Sequence, residues 1–334
     1  MKMYLGIDMA KHDFVSAVEL PARPGGEDQS LKLVHPKIKN THRGFNQLKQ
    51  WVSKLASQHK ADSIHIGVES TGGYETPLVE WFRKHSDFLI TVLNPIQVKR
   101  FGQSQLLRTK TDKVDAKLIA HYMAIHKPDP TPVPSQQVKK LQALTRHLEH
   151  LTRKRANELT YLESMRDSKV KTSVGQTIKS YDRQIEKVEQ LIKDHFDNHP
   201  NLKLKKELLM SIPGIGEITS AILLSEMNGS LDPKQQVAHA GIAPRERQSG
   251  LLKGKARICK TGNKRIRTAL YMPTLAAIRY NPVITTFYEK LISKDKHGKV
   301  VVCACMRKMI HIVVGVLKNQ TPFNPNLEHL SLAS

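Results

Sequence analysis

The chain has 334 residues, 39% of them hydrophobic and 25% charged, which suffices for two to three globular domains with cores of their own and excludes a disordered polymer. Lysine and arginine number 53 against 30 aspartates and glutamates, so the net charge is +23 and the pI about 9.9; the expected partner is a polyanion, and nucleic acid comes before a membrane because no terminal basic amphipathic helix and no lipidation motif is present. Three cysteines, Cys259, Cys303 and Cys305, contain no Cys-x-x-Cys pair, which excludes a disulfide framework and a zinc knuckle and fits a reducing cytoplasm.

Met1 to Asp8 has no apolar signal region, since Asp8 interrupts it. Residues 3 to 20 alternate apolar and small residues around a break at Lys11-His12-Asp13, as two strands do; Pro21 to Gly26 turns the chain and Leu31 to Lys39 makes a third strand. Thr41 caps a helix whose apolar face carries Phe45, Leu48, Trp51, Val52 and Leu55. Strand 63–69, helix 75–85, strand 88–93 and a short helix after Pro95 follow. The spacing predicts a mixed α/β sheet with helices on its faces.

Two acids in this segment are badly placed for a core. Asp8 ends the apolar run Met3 to Ile7, and Glu69 ends Ile64 to Val68, just before Ser70-Thr71-Gly72-Gly73. A carboxylate at the end of a buried strand, next to turn-forming residues, belongs to a site at a sheet edge. Further on, Thr111 can cap a helix from whose first turn Asp112 and Asp115, three residues apart, project the same way. An isolated Asp-x-x-Asp there would simply suit the helix dipole. With Asp8 and Glu69 it makes four candidate metal ligands.

Lys127 to Pro134 is a Pro-rich connector that cannot continue a helix, so the first domain is expected to span 1–134. Beyond it, Leu141, Leu144, Leu148 and Leu151, and again Ile178, Tyr181, Ile185, Val188 and Ile192, fall at heptad steps. With Lys169 to Gly175 as the connection, these seams predict an antiparallel helical hairpin over 135–200, closed on itself or completed by a second subunit.

Pro200 begins a third, mostly helical segment, 201–334. Ser211-Ile-Pro-Gly-Ile-Gly, between two helical runs, resembles a helix-hairpin-helix, in which Gly214 and Gly216 would leave backbone N–H groups open to a phosphate. From Arg245 to Arg267 the chain then carries nine basic residues, Arg245, Arg247, Lys253, Lys255, Arg257, Lys260, Lys264, Arg265 and Arg267, against one acid, Glu246. Gly250, Gly254 and Gly262 interleave them, so phosphate contact is a better reading than a solvated face. Ser249 lies inside this run, where it could donate a hydrogen bond to phosphate or act as a nucleophile; spacing alone does not decide. Val300 to Leu317 is the most apolar stretch, but Arg307, Lys308 and His311 within it make it a core helix rather than a membrane span.

The element order, with acids on the first strand, the fourth strand and the last helix, resembles the ribonuclease H-like fold. In that fold the carboxylates converge on two divalent cations; oxygen-only ligands suit magnesium, and two ions about 3.5–4 Å apart can stabilise both the attacking and the leaving oxygen of a phosphodiester. Several motifs then occur in order: Gly6-Ile-Asp-Met-Ala-Lys11, Glu69-Ser-Thr-Gly-Gly-Tyr74, Lys110-Thr-Asp-Lys-Val-Asp-Ala116, Pro213-Gly-Ile-Gly216, Gly241-Ile-Ala-Pro244, Ser249-Gly250 and Lys260-Thr-Gly-Asn-Lys-Arg265. Together they resemble the DEDD transposases of the one-ten insertion-sequence family, which includes the Piv/MooV DNA invertases.

That resemblance implies a RuvC-like nuclease domain, a coiled-coil domain and a C-terminal transposase domain. It implies recombination of DNA guided by a structured noncoding bridge RNA, magnesium (with manganese as a substitute) held by Asp8, Glu69, Asp112 and Asp115, and Ser249 as a nucleophile that links transiently to DNA. It further implies dimers and tetramers that join the RuvC-like site of one subunit to the serine of another, working in the cytoplasm on the nucleoid. Where the family pattern would have small or polar residues after Ser249-Gly250, this chain has Leu251-Leu252. Two rival readings are a hydrolytic junction nuclease, in which water attacks, and a nucleic-acid-binding protein without catalysis.

Overall fold

A computed structural model describes residues 2–20, 31–70, 72–106, 109, 111–245, 248–249, 252–253 and 257–326. The chain forms two compact units, Met1–Pro132 and Val133–Ser334. Residues 135–200 and 201–334, expected as separate domains, both lie in the second.

The first unit is a five-stranded sheet built from β1 (Lys2–Met9), β2 (Asp13–Leu20), β3 (Leu31–Lys39), β4 (Ser63–Glu69) and β5 (Leu89–Leu93), in the order β3-β2-β1-β4-β5. The meander β1–β2–β3 is antiparallel, whereas β4 and β5 add to β1 in parallel. This is the mixed α/β sheet that the sequence predicts, and it fits a ribonuclease H-like domain. Central β1 reads as one apolar run because both of its faces are covered. Met3, Leu5 and Ile7 face α1 (His42–Gln58) and α2 (Thr76–His85), joining a core with Phe14, Phe45, Trp81 and Phe82. Tyr4, on the opposite face, packs with Ile119 and Met123 of α4 (Asp112–His126) and Val98 of α3 (Pro95–Ser104). Thr41 and Thr111 cap α1 and α4 as expected, accepting from Gly44 N and Val114 N at 3.3 Å each.

Gly6 sets how closely α4 can lie. A Cβ there would stand 2.2 Å from the Ala116 carbonyl oxygen and 2.3 Å from the Ala120 nitrogen. Gly67 on β4 plays the same part against Met123. After α4 the Pro-rich connector is stitched to the edge of β5: Thr131 N donates to Ile90 O at 2.9 Å, Thr131 Oγ1 accepts from Val92 N at 2.8 Å, and Arg83 Nη2 donates to Thr131 O at 2.7 Å.

In the second unit, α5 (Gln136–Ser164) and α6 (Ser168–Asp197) form the expected antiparallel pair. Gln137 O meets His195 Nε2 near one end, and Arg155 pairs with Asp182 further along. Leu141, Leu148, Leu151, Val188 and Ile192 fill the seam, with Leu144, Tyr181 and Ile185 at its margin. The connection is displaced from the expected Lys169–Gly175: Asp167 caps α6, accepting from Lys169 N and Val170 N, so 169–175 is helical and the turn falls just before it. Gly175 lies within α6 and faces open space.

The rest of the unit comprises α7 (Pro200–Met210), α8 (Glu217–Glu226), α9 (Pro233–His239), α10 (Lys264–Tyr280), α11 (Pro282–Ile292) and α12 (Gly298–Asn319). Helix α12 is long and apolar enough to span a bilayer by length and composition, yet Val301, Cys305, Met309, Val313 and Leu317 are the centre of this unit's core, packed with residues of α7 to α11. Burial pushes the Cys305 thiol up to about 11, so it stays protonated.

Two outcomes follow. Gly6→Ala should drive α4 off β1 and cost about 1–3 kcal/mol, read as a lowered thermal midpoint. His65, buried in β4, donates from Nε2 to Thr91 Oγ1 at 2.9 Å, because that hydroxyl is itself donated to Asp129 O. Burial, and to a lesser extent Lys2, hold its pKa below the ordinary value. Stability should therefore be complete above about pH 6.5 and fall as pH drops through the depressed value, a slope that His65→Gln should flatten in midpoint-versus-pH curves.

Candidate nucleic-acid processing site

Side chains on a strand alternate between faces, so Tyr4, Gly6 and Asp8 share one face of β1, the face that α4 covers. On β4 the corresponding set is His65, Gly67 and Glu69. Parallel pairing of Ile7 with Val68 then sets Asp8 beside Glu69, one residue further along both strands. Because the Ala116 carbonyl lies against Gly6, Asp115, the residue before it, enters at this same end of β1. Asp8, Glu69 and Asp115 are each half-buried, whereas Asp112 is exposed.

The loop after Glu69 is tied by Glu75, whose carboxylate accepts from Ser70 Oγ at 3.2 Å and Gly73 N at 3.1 Å. Gly72 and Gly73 take φ of +65° and +99°, which explains the paired glycines of that motif. Asp112 leans towards the meander side: Lys37 Nζ on β3 lies 3.9 Å from its carboxylate and 3.2 Å from that of Asp13 on β2. Sequence reasoning passed over Lys37 and took Asp13 only as part of a break. The period-2 pattern of β2 could have found Asp13, since it shares the α4 face with Val15 and Ala17.

An all-carboxylate donor set at one sheet end fits a hard divalent cation in donor chemistry and in backbone placement. Among the described residues, however, no three His, Cys, Asp or Glu side chains are gathered closely enough to hold a metal ion. The elements bring the four acids to one region; the side chains themselves do not converge into a cage.

In the second unit the Pro-Gly-Ile-Gly turn joins α7 to α8. Gly214 has φ of +100°, and a Cβ there would stand 2.6 Å from Pro273 O, so this glycine lets the turn sit on α10. Gly216 starts α8 without a side-chain cap and faces open space, but Glu217, paired with Lys206 at 2.8 Å, already puts a negative charge on that helix start.

Of the basic run, β6 (Pro244–Arg245) pairs with β9 (Arg257–Ile258) and β7 (Gln248–Ser249) with β8 (Leu252–Lys253), Ser249 standing opposite Leu252. For Ser249, Lys253 and Arg257 only the backbone is described, and Arg247 and Lys255 lie outside the described residues. Arg245, Lys260 and Lys264 are exposed. Arg265 is paired with Glu149 of α5 at 2.8 Å, and Arg267 turns inward, donating from Nη1 to Ala240 O at 2.8 Å.

Residues 5–168 match the family profile described as "Transposase", of the DEDD IS110 type, and residues 206–289 match that of the "Transposase IS116/IS110/IS902 family". The pilin gene-inverting protein of Moraxella bovis is 30% identical, and that of Moraxella lacunata 29%, each over 98% of this chain and 99% of its own length. The uncharacterized 42 kDa protein of insertion element IS900 from Mycobacterium paratuberculosis is 24% identical over 46% of this chain and 38% of its own. The solved structure of Thermus thermophilus RuvC aligns with 38% of this chain and 99% of its own at 12% identity and a TM-score of 0.27.

The two kinds of arginine and lysine should separate on substitution. Lys264→Ala should leave the thermal midpoint in place and reduce the slope of log affinity against log salt by about 1 in DNA titrations. Arg267→Ala should leave that slope alone and cost about 1–3 kcal/mol of stability, through the abandoned Ala240 carbonyl.

Proposed function

The chain belongs to the IS116/IS110/IS902 family of transposases, enzymes that cleave and rejoin DNA, and from that premise we propose that it is an RNA-guided site-specific recombinase using RuvC-like acids and a serine nucleophile. The observation that carries the reading is the juxtaposition of Asp8 and Glu69 on adjacent parallel strands, on the face where the first turn of α4 delivers Asp115. Four carboxylates from three elements, β1, β4 and the first turn of α4, serve no core; they suit the end of a sheet that handles phosphodiesters.

In this reading Asp8, Glu69, Asp112 and Asp115, once drawn together, would hold divalent cations, magnesium or in its place manganese, which would supply Lewis-acid stabilisation of phosphoryl oxygens. The Ser249 hydroxyl attacks the scissile phosphorus; its oxygen replaces a DNA oxygen, which leaves with a proton. Rejoining reverses the exchange with a different DNA hydroxyl. The phosphodiester is conserved at each stage, so no ATP is consumed. Arg245 and the neighbouring cations Arg247, Lys253, Lys255 and Arg257 neutralise the charge that develops at phosphorus. Lys260 and Lys264 track the backbone of DNA or of the bridge RNA that selects it. The α5–α6 hairpin serves as a coiled coil through which subunits dimerise and, in pairs, form tetramers in which the acids of one copy serve the serine of another. Inversion of a pilin gene, for which the two Moraxella relatives are named, is an exchange of the same type.

Ser249→Ala should lower the yield of covalent protein–DNA adduct on denaturing gels by at least about a thousandfold while RNA retention in filter binding stays near that of the unaltered protein. Asp115→Ala or chelation of divalent cations should abolish the adduct as well. Free DNA ends without any adduct would instead identify a hydrolytic nuclease.

A further inference from the structure

Glu226 is the last residue of α8, where a negative charge opposes the helix dipole, and it is 5% exposed. A buried carboxylate in such a position is tolerated only when it is fully paired. Arg146 of α5 grips it from Nε at 2.7 Å and Nη2 at 3.2 Å, and Asn263 Nδ2 donates to it at 2.8 Å. The Glu226 carbonyl meets His239 Nε2, at the end of α9, at 3.0 Å.

Asn263 is held from its other side too. Its Oδ1 caps α10, accepting from Arg265 N at 2.9 Å and Ile266 N at 3.4 Å, so the amide is oriented with its NH2 towards Glu226. The backbone before it forms a tight knot. Asn263 N donates to His239 O, Lys260 N to Gly241 O at 2.9 Å and Cys259 N to Ala243 O at 2.9 Å. Gly241, Lys260 and Gly262 all take positive φ, and a Cβ on Gly262 would stand 2.4 Å from His239 O. Out of this knot emerge the paired strands β6 and β9, and Ser249 lies on the excursion between them.

We infer that Glu226 is a positioning residue: by fixing Asn263 it sets the stem from which the Ser249 ribbon projects, and through Arg146 it ties that stem to helix α5. This rests on Ser249 being the nucleophile, and it assigns a task to a buried acid that the phosphoryl chemistry does not touch. It also gives the asparagine of Lys-Thr-Gly-Asn-Lys-Arg a reason to be an asparagine, since an ionised Asp would cap α10 equally well but could not donate to a carboxylate.

The test uses the full chain with its DNA and co-purified RNA. E226Q and N263D each place two like groups face to face, while N263D keeps the cap of α10. Each should speed amide exchange across 259–263 by about tenfold. Each should slow adduct formation by about a hundredfold, the cost of a misplaced nucleophile, with DNA affinity within about threefold. The double variant E226Q/N263D restores a donor opposite an acceptor and should recover both. Should E226Q fail to fold, N263D and the double variant decide alone. Unchanged exchange in N263D, or faster exchange with an undiminished adduct rate, overturns the inference. An adduct that survives Ser249→Ala sinks the nucleophile reading instead, and with it the task assigned to Glu226.

Discussion

The first unit depends on how closely α4 lies on β1. With no side chain at Gly6, the carbonyl of Ala116 and the amide of Ala120 come down onto the strand itself. Helix and sheet then share a boundary set by backbone, which is less compressible than one set by flexible side chains. Everything at the carboxyl end of β1 inherits that precision. Asp115 is one residue from the contact and Asp8 is two residues from it along the strand. Half-buried His121 of α4, 2.9 Å from buried Glu19 of β2, adds a polar anchor to the same docking.

The second unit solves a similar problem with polar groups. Its apolar core surrounds α12 and specifies packing, whereas the described backbone of the segment bearing Ser249 pairs as two two-residue ribbons. Such a segment has to be fixed at its base. The knot of glycines, the Asn263 cap and the buried Glu226 carboxylate supply directional bonds at that base. A sheet end organised by close packing and a ribbon rooted in hydrogen bonds are thus the two places where the proposed chemistry would act.

Much of the first unit was readable in the sequence because each signal there is local. Thr41 and Thr111 announce helix starts, the apolar runs announce strands, and acids at the ends of those runs stand out. The long-range part was not readable. Nothing local reveals that Lys37 on β3 reaches Asp112, or that Arg146 will meet Glu226 eighty residues later. The hairpin connection was misplaced because Lys169 to Gly175 has loop-like composition, whereas the Asp167 cap outweighs it. Gly214 and Arg267 also carry a second meaning. Their residue types suit phosphate binding, but their geometry serves the contact with α10 and the support of a carbonyl.

The stitching of Thr131 to β5 has a consequence for how such a protein survives in a cell. An open sheet ends in a row of unsatisfied amides and carbonyls, an invitation for one copy to zip onto the next. A strongly basic chain that gathers on nucleic acid is concentrated along a polymer, where sheet-to-sheet fusion would be most damaging. By laying a proline-studded strip along that margin and occupying Ile90 and Val92, the fold shields this border against unwanted partners using residues that cannot themselves extend the sheet.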